Sequence, residues 1–310
     1  MPSLVILGAG GFLGRELLAS ADVALPIKAV ARAVPFDVGL HAGVAWHAAD
    51  LLAPGSLDSI LERDDVVINL AYIAGGSTAE NLRLVENVVD ACIHYRVARL
   101  VHCSTAVVAG AALATRVTEA TVCVPHTSYE MTKLAVEERA LRGMSNGLDV
   151  GILRPTGIVG PGGQNLAKLA ESLQRDNRVV TYLRACLFGR RPMHLVPVRT
   201  VAMALIHLGL LPGEIDGNVY IVSSDRDPDN NFRDVEALLL RSLDLPPRVL
   251  PLLPMPKQLL SLLLRLRGRS DTNMEREFSS EKLLATNFTP VDSVGAAVSA
   301  FAESLRVAPT

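Results

Sequence analysis

The sequence predicts an α/β fold, a doubly wound parallel sheet with a smaller, discontinuous C-terminal lobe. Short β-branched runs alternate with helical patterns through the first half of the chain, which is typical of βαβ units. A glycine-rich turn, Gly8–Gly14, directly follows the first apolar run. A second glycine-rich loop, Gly160–Gly163, precedes a stretch where the alternation of strand and helix patterns ends. At 310 residues the chain is long enough for one large domain and a smaller lobe.

The strands are predicted where short apolar runs are bounded by turn or helix residues. These runs are Leu4–Leu7, Ile27–Ala31, Val66–Leu70, Leu100–Cys103 and Leu148–Leu153. We expect the last of them to end before Arg154 and Pro155, because proline interrupts a sheet. Helical patterns cover Glu80–His94 and Ser128–Arg142.

The second lobe is predicted to begin after Gly160 and to be interrupted once. A helix is predicted over Leu166–Arg175, after which the helix Val201–Leu211 and the strand Gly217–Ser223 return the chain to the large domain. We therefore assign residues 1–160, with a returning segment at about 198–224, to the large domain. Residues 161–197 and 225–310 form the lobe, in which Leu238–Leu264 is interpreted as packed helices.

Composition and charge exclude several classes of protein. The net charge of -2, with 49% hydrophobic and 20% charged residues, describes a well-packed globular chain. The chain has no arginine- or lysine-rich block and only 4% aromatic residues, so no nucleic acid is expected to bind. The four cysteines lack C-x-x-C spacing, which favours reduced thiols in the cytoplasm. The seven histidines show no metal-ligand spacing, so no metal is predicted.

The most membrane-like stretch of the sequence is Leu250–Leu264. It is too short to span a bilayer, and Pro251, Pro254, Pro256 and Lys257 interrupt it. We therefore predict no membrane span. An apolar lobe or interface helix is the preferred interpretation of this stretch, and a helix lying on a membrane surface is the alternative.

The turn Gly8–Gly14, which reads GAGGFLG, lies where nucleotide-binding folds hold a pyrophosphate group. Glycine permits a tight turn and close backbone approach, and a helix N-terminus presents unpaired amides to the phosphates. The glycine spacing is Gly8, Gly11, Gly14, since a strict G-x-G-x-x-G would need glycine at Leu13. The position of the turn favours nucleotide binding over a plain strand-to-helix connection.

The end of the second predicted strand bears on the choice between NAD and NADP. An acidic residue there would bind the adenosine ribose of NAD, but the chain reads Val30-Ala31-Arg32-Ala33. The Arg32 guanidinium suits the 2′-phosphate of NADP, and it equally suits a solvated cation at a strand end. The sequence thus predicts NAD or NADP, with NADP slightly favoured.

Tyr129 and Lys133 are four residues apart in a predicted helix and therefore lie on one face of it. A nearby ammonium favours the phenolate, so we expect Lys133 to lower a tyrosine pKa that is ordinarily about 10. The phenol would then serve as an acid or base near neutral pH. Because Y-x-x-x-K alone is common on surface helices, its meaning depends on the surrounding motifs.

The glycine turn, Thr105, and the Tyr129 and Lys133 pair together resemble the extended short-chain dehydrogenase/reductase family of epimerases, reductases and dehydratases. The resemblance covers nearly the whole chain and implies the Rossmann fold. Further matching stretches are Asp50-Leu51, Asn69-Leu70-Ala71, Asn81 with Asn87, Cys103–Gly110, Leu153-Arg154-Pro155 and Gly160-Pro161-Gly162.

The resemblance implies a nicotinamide cofactor and a role for each matching residue. Thr105 would hydrogen-bond the reacting substrate oxygen, Tyr129 would pass the proton, and Lys133 would also hold the nicotinamide ribose. The implied cofactor-binding residues are Gly8, Gly11, Phe12, Leu13, Gly14, Arg32, Asp50, Leu51, Leu70, Ala71, Tyr72, Lys133 and Pro155. Asn165 falls at a position where related enzymes contact a nucleotide sugar, and Asn81 is interpreted as a structural brace.

Three departures from the family pattern bear on the reaction and the substrate. Sugar-nucleotide dehydratases carry an Asp-Glu pair after the catalytic threonine, whereas this chain has Ala106-Val107, which disfavours the loss of water. The family's usual tyrosine before the loop glycine is Ala109 here, and an acidic residue common before the returning helix is replaced around Val198-Arg199-Thr200. Both changes leave the substrate open.

The preferred prediction is an NAD(P)-dependent oxidoreductase or epimerase that acts on a hydroxyl or keto carbon of a nucleotide sugar, by 4-keto reduction or C4 epimerisation. The apolar stretch Leu245–Leu264 and the following Arg265–Arg269 resemble the corresponding part of bacterial enzymes that act on nucleotide-linked 4-keto hexoses. Arg184, Arg190 and Arg191 could hold a diphosphate or simply face water.

Two other functions stay open. One is a reductase or dehydrogenase of an apolar ketone or alcohol, such as a steroid or flavonoid, covered by the same hydrophobic stretch. The other is a non-catalytic NADP-binding regulator, against which the intact Thr105, Tyr129 and Lys133 argue. A homodimer is usual among such enzymes and is the assembly that we predict.

Overall fold

A computed structural model of the chain describes residues 1–34, 43–248, 250–253 and 275–307. Its strands are β1 (Leu4–Leu7), β2 (Ile27–Ala31), β3 (Val44–Ala48), β4 (Val66–Asn69), β5 (Arg99–Cys103), β6 (Arg116–Val117), β7 (Val150–Pro155), β8 (Gly157–Val159), β9 (Leu195–Pro197), β10 (Val219–Val222) and β11 (Glu277–Phe278). A seven-stranded parallel sheet has the order β10-β7-β5-β4-β1-β2-β3. Two short parallel pairs, β6 with β11 and β8 with β9, lie outside it.

The helices occupy the connections between these strands. They are α1 (Phe12–Ser20), α2 (Thr78–His94), α3 (Ser128–Leu141), α4 (Ala167–Arg175), α5 (Arg178–Phe188), α6 (Val198–Leu210), α7 (Phe232–Ser242), α8 (Glu281–Leu284) and α9 (Val294–Val307), with 3-10 helices at Ala106–Ala109 and Arg142–Asn146. Capping boxes start α2 and α3, in which Ser77 and Thr127 exchange hydrogen bonds with Glu80 and Glu130.

Alternate residues of the sheet pack into two separate cores. In β1, Leu4 and Ile6 join a cluster with α1 and α6, whereas Val5 and Leu7 join a cluster with α2 and α3. All four residues of the strand are fully buried, as expected for a parallel sheet covered on both faces. The predicted doubly wound α/β fold is confirmed.

Strand β7 extends to Pro155, two residues beyond the predicted end at Leu153. The Ile152 and Thr156 N–H groups donate toward β10, so the intervening nitrogen of Pro155 faces the opposite side. The neighbour on that side, β5, has already ended at Cys103. An N–H at position 155 would find no acceptor strand on that side. Proline therefore costs the sheet no hydrogen bond there.

The sequence signals gave no prediction for α5, α8 or α9, and they placed the start of α6 too late. Asn177 caps α5 by accepting from the N–H of Val180, and this helix was not predicted. The returning helix α6 begins at Val198 rather than Val201, and Pro197 before it offers no side-chain cap as a signal.

The stretch Leu238–Leu264, interpreted as packed helices, is helical only to Ser242, the end of α7, and residues 243–248 and 250–253 are not helical, where Pro246, Pro247 and Pro251 disfavour a helix. The other predicted elements agree with the structure to within about two residues, the scatter expected of boundaries.

A third buried cluster joins α4, α7, α9, β8 and β9, and includes Leu173, Leu239 and Phe301. It supports the proposed smaller lobe, although Leu283 and Phe288 pack into the cluster of α1 and α6. The segment with Leu283 and Phe288, which the prediction assigns to the lobe, therefore packs against the large sheet and its helices. Residues 254–274, with most of the leucine-rich stretch and with Arg265–Arg269, lie outside the described residues.

Within the described ranges, no helix is both long and apolar enough to cross a membrane. The four cysteines are free, and three of them are buried. Nor do the described residues contain a group of three His, Cys, Asp or Glu side chains arranged to hold a metal ion.

Candidate active site

The glycine turn between β1 and α1 has little room for side chains. Gly8 has a φ of +83°, and a Cβ on it would lie 3.1 Å from the backbone nitrogen of Ala71. A Cβ on Gly14 would lie 2.6 Å from the carbonyl oxygens of Gly8 and Ala9. The close approach of these backbone segments explains why glycine occupies both positions.

The N-terminus of α1 offers unpaired amides at this turn. Its cap, Gly11, has no side chain, and the first helical hydrogen bond runs from the N–H of Arg15 to the carbonyl of Gly11. The amides of Phe12, Leu13 and Gly14 precede that bond and so have no helical acceptor. Together with the positive end of the helix dipole, they suit a pyrophosphate group.

A cavity of about 310 Å³ opens at the carboxyl ends of β1, β2 and β4. Eight of the predicted cofactor residues line it: Gly8, Gly11, Arg32, Asp50, Leu51, Leu70, Ala71 and Tyr72. Residues far apart in the sequence therefore converge on one site, at the edge of the sheet where open α/β folds bind nucleotides. The glycine cradle and this cavity fit a dinucleotide.

The other predicted cofactor residues do not line this cavity. Phe12 lines a neighbouring cavity of about 470 Å³ with Pro161 and Gly162, between α1 and the loop that follows β8. Leu13 and Gly14 lie in the first turn of α1, while Pro155 ends β7, two strands away from β4.

Arg32 is exposed at the rim of the cavity, and Asp50 is the only carboxylate among the described residues that line it. The Asp50 side chain accepts a hydrogen bond from the N–H of Leu52 at 3.1 Å. Asn87 of α2 holds the same loop by donating to the carbonyl of Leu51 at 2.9 Å. Asn81 bonds both the N–H and the carbonyl of Ile73, so it acts as the expected brace for the loop after β4.

Thr105, Tyr129 and Lys133 come together beside this cavity. Thr105 follows β5 and caps the 3-10 helix Ala106–Ala109, with its hydroxyl accepting from the N–H of Val107. Tyr129 and Lys133 lie one turn apart on α3; the phenol is 44% exposed, while Lys133 is buried. Tyr129 is thus accessible from solvent, whereas Lys133 is shielded from it.

Tyr72 connects the cavity to these three residues. Its ring meets the ring of Tyr129 edge-on, with the centroids 5.7 Å apart. The Lys133 ammonium lies 4.3 Å from the centroid of the Tyr72 ring, a distance typical of a cation–π contact. Tyr72 was predicted only to line the cofactor site, and the structure also makes it the neighbour of both catalytic candidates.

Burial dominates the electrostatics of this group. It raises the pKa of Tyr129, with further increases from Tyr72 and Cys103, whereas hydrogen bonding with the Thr105 side chain lowers it. Burial also lowers the pKa of Lys133. The expected lowering of the Tyr129 pKa by Lys133 does not appear, because the ammonium lies against the Tyr72 ring and burial of the phenol prevails.

Comparison with known proteins identifies the family of this chain. A family model described as the NAD dependent epimerase/dehydratase family matches residues 4–198. The chain belongs to this family. Epimerase/dehydratase proteins are enzymes of the extended short-chain dehydrogenase/reductase type, so the resemblance inferred from the motifs is confirmed. No curated protein matches the chain.

Solved structures share the fold over almost the full length of this epimerase/dehydratase chain. UDP-glucuronic acid 4-epimerase from Bacillus cereus, in complex with NAD, has a TM-score of 0.73 at 16% identity, with 98% of each chain covered. The Bordetella bronchiseptica enzyme WbmH, in complex with NAD+, has a TM-score of 0.72 at 17% identity, with 99% of each covered. RMD from Pseudomonas aeruginosa, with NADPH, has a TM-score of 0.68 at 21% identity, covering 98% of this chain and 99% of its own.

The candidate substrate residues of this family member are partly engaged elsewhere. The Asn165 amide donates to the carbonyl of Ile158 at 2.7 Å. Arg184 pairs with Asp176, and Arg190 pairs with Asp234. These two guanidiniums are thus bound by carboxylates, which weakens the suggestion that they hold a diphosphate.

His102 is a buried residue of the site that the sequence did not single out. Asn69 accepts from the N–H of Ala71 through Oδ1, which leaves its Nδ2 to donate to His102 Nδ1 at 3.2 Å. Burial, followed by the Lys133 charge, lowers the pKa of His102 to about 3, so the imidazole is neutral. The sequence signal that could have indicated this pair is a polar residue within each of two apolar strands, Asn69 in β4 and His102 in β5.

A buried ion pair supports α3 behind Lys133. Arg154 of β7 donates to the Glu137 carboxylate from Nη2 at 2.6 Å and from Nε at 3.0 Å. Glu137 continues the four-residue spacing of Tyr129 and Lys133 on α3, and it is almost fully buried. That spacing, with Arg154 in a matching motif, could have indicated the pair.

Proposed function

We propose that this chain is an NAD(P)-dependent reductase or epimerase that acts on a hydroxyl or keto carbon of a nucleotide sugar. The observation that carries the proposal is the convergence of Thr105, Tyr129 and Lys133 beside a glycine-cradled cavity at one edge of the sheet. Two of the similar solved structures support the same class of enzyme. One is a UDP-glucuronic acid 4-epimerase in complex with NAD, and the other is RMD in complex with NADPH.

In the proposed mechanism, the residues of the chain orient the reacting oxygen and supply its proton. The nicotinamide, when bound, supplies the chemistry of hydride transfer at the reacting carbon. Thr105 donates a hydrogen bond to the substrate oxygen, and the Tyr129 phenol transfers a proton to that oxygen in the reductive direction. Because its pKa is raised, Tyr129 stays protonated at neutral pH, which suits the role of acid. Lys133, one helical turn from Tyr129, lies against the Tyr72 ring, and in this proposal its ammonium holds the nicotinamide ribose.

We propose NADP as the preferred cofactor. Arg32 lines the cavity at the end of β2, and the described residues at that strand end, which run to Val34, include no carboxylate to bind an unphosphorylated ribose. Fluorescence titration is expected to give NADPH an affinity at least about tenfold higher than that of NADH. Arg32→Ser should weaken NADPH binding and leave NADH binding unchanged, whereas Arg63→Ser, at an exposed surface pair, should change neither. Equal affinities in the wild type would contradict this preference.

The substrate class is tested with three probes. NADPH oxidation is followed with UDP-4-keto-6-deoxyglucose and with a steroid 3-ketone, and UDP-glucose is supplied with NAD+ to detect UDP-galactose. Turnover of either UDP sugar supports the proposal. Turnover of the steroid alone would support the apolar alternative, and NADPH binding without turnover of any probe would support the regulator.

The assembly and location follow the same proposal. We propose a homodimer, as is usual in the extended short-chain family, in the cytoplasm with its thiols reduced. Sedimentation equilibrium of the full chain tests the assembly, for which a mass near 33.1 kDa would indicate a monomer and contradict it.

A further inference from the structure

Tyr72 contacts both helix residues of the candidate active site. It lies in the loop after β4, lines the cofactor cavity and is partly buried. The Lys133 ammonium lies 4.3 Å from the centroid of its ring, and the ring of Tyr129 meets it at an interplanar angle of 89°. One aromatic side chain therefore borders the cavity and contacts both the ammonium and the phenol.

The fold buries Lys133 without a direct counter-charge. The residue is 6% exposed, and among the described residues no carboxylate forms an ion pair with it. Glu137, one helical turn further along α3, is already engaged by Arg154. The negative face of an aromatic ring stabilises an ammonium, most strongly where water is excluded. The Tyr72 ring therefore favours the charged form of Lys133 at a position where burial opposes it.

We propose that Tyr72 is a positioning residue of the active site, whose ring face holds the Lys133 ammonium in place to bind the nicotinamide ribose. This inference rests on the proposed function, because it requires Lys133 to bind that ribose. An ammonium has three N–H donors, so contact with the ring leaves donors for the ribose hydroxyls. The same ring packs against Tyr129 and thereby also restricts the position of the phenol.

The titratable groups around Lys133 come from three elements. They are Tyr72 in the loop after β4, His102 and Cys103 on β5, and Tyr129 and Glu137 on α3. The pKa of His102 is lowered to about 3 and that of Cys103 is raised to about 11, in both cases chiefly by burial. Neither group therefore changes its charge between about pH 7 and pH 10. Only the two tyrosines need to be removed to make the titration of Lys133 visible.

The test fluorinates the ring, which removes the negative potential of its face and keeps its shape. NADPH affinity is measured by fluorescence titration from about pH 7 to pH 10. The background is Tyr129→Phe, and position 72 carries either phenylalanine or pentafluorophenylalanine. Affinity should fall as Lys133 loses its proton. We expect the fall to begin about one pH unit lower with the fluorinated ring, because the charged form has lost its partner.

The matched control makes the same pair of replacements at Tyr95, which ends α2 and does not line the cavity. There the two rings should give the same pH profile. Equal profiles for the two rings at position 72 would overturn the role of Tyr72. Lys133→Met should bind NADPH more weakly and without the alkaline fall. Unaltered affinity in Lys133→Met would instead overturn the assignment of Lys133 to the ribose, on which the proposed function and this inference both depend.

Discussion

Lys133 carries an ammonium group that the fold buries away from water. Burial lowers its pKa in the folded chain, so at neutral pH the charge favours the unfolded chain, where water surrounds it. The contact with the Tyr72 ring offsets only part of this cost. This cost is consistent with the catalytic role proposed for Lys133.

Lys133→Met is therefore expected to stabilise the protein while abolishing turnover. The free energy of unfolding at pH 7, measured with urea, should rise by roughly 1–3 kcal/mol. The gain should shrink as the pH rises toward the ordinary lysine value of 10.5, because the unfolded chain then loses the same proton. Lys168→Met, an exposed position on α4, is the control and should change little. A loss of stability at pH 7 would contradict the assignment.

Glu137 and Arg154 present the opposite case, in which each charge depends on its partner. Glu137→Gln leaves a buried guanidinium without its counter-charge, and we expect a loss of about 3 kcal/mol in the free energy of unfolding. Glu138→Gln, at the next and exposed position of α3, should cost less than about 0.5 kcal/mol. Equal effects of the two substitutions would show that the ion pair does not support α3.

At the residue scale, the motifs predicted which side chains converge but not their ionisation. Gly8, Arg32 and Tyr72 meet in one cavity because the parallel sheet brings strand ends together, and this follows from order along the chain. The upward shift of the Tyr129 pKa depends on burial. The pairing of Asn69 with His102 likewise depends on contact between two elements, β4 and β5. Residue spacing along the sequence specifies neither feature.

At the scale of elements, β11 ties the distal part of the chain to the loop after Thr105. Arg276 donates to the carbonyls of Gly110 and Ala112 at 2.9 and 2.6 Å, and the N–H of Glu277 donates to the carbonyl of Thr115. The small side chains of Ala106 and Ala109 leave room for Phe278 against this loop.

Arg276→Met should therefore loosen that loop. Hydrogen exchange of the amides in residues 105–119, measured by mass spectrometry, is expected to accelerate at least about tenfold, because buried carbonyls lose their donors. Arg226→Met removes an exposed guanidinium that pairs with Glu277 and Glu281, and should leave the exchange unchanged. Unchanged protection in Arg276→Met would show that β11 does not hold the loop.

Most elements of the first half could be predicted because their signals are local. The apolar runs of β1 and β5 and the capping sequence of α3 are readable in isolation. The end of β7 was not, because whether Pro155 is tolerated depends on where the neighbouring strand stops. The pairing of β6 with β11 joins segments about 160 residues apart, so no local sequence pattern predicts it.

At the scale of the whole molecule, the fold places two kinds of group at one edge of the sheet. The glycine turn and its cavity lie at the ends of β1, β2 and β4, and Thr105 lies at the end of β5. The family match ends at residue 198, before most of the proposed lobe.

The central claim is that Tyr129 supplies the proton during hydride transfer. NADPH oxidation with UDP-4-keto-6-deoxyglucose, compared between the wild type and Tyr129→Phe, tests it most directly. The rate should fall by about 100-fold or more, with NADPH affinity unchanged, because the ring stays in place and only the hydroxyl is lost. A mutant rate within about threefold of the wild type would contradict the account.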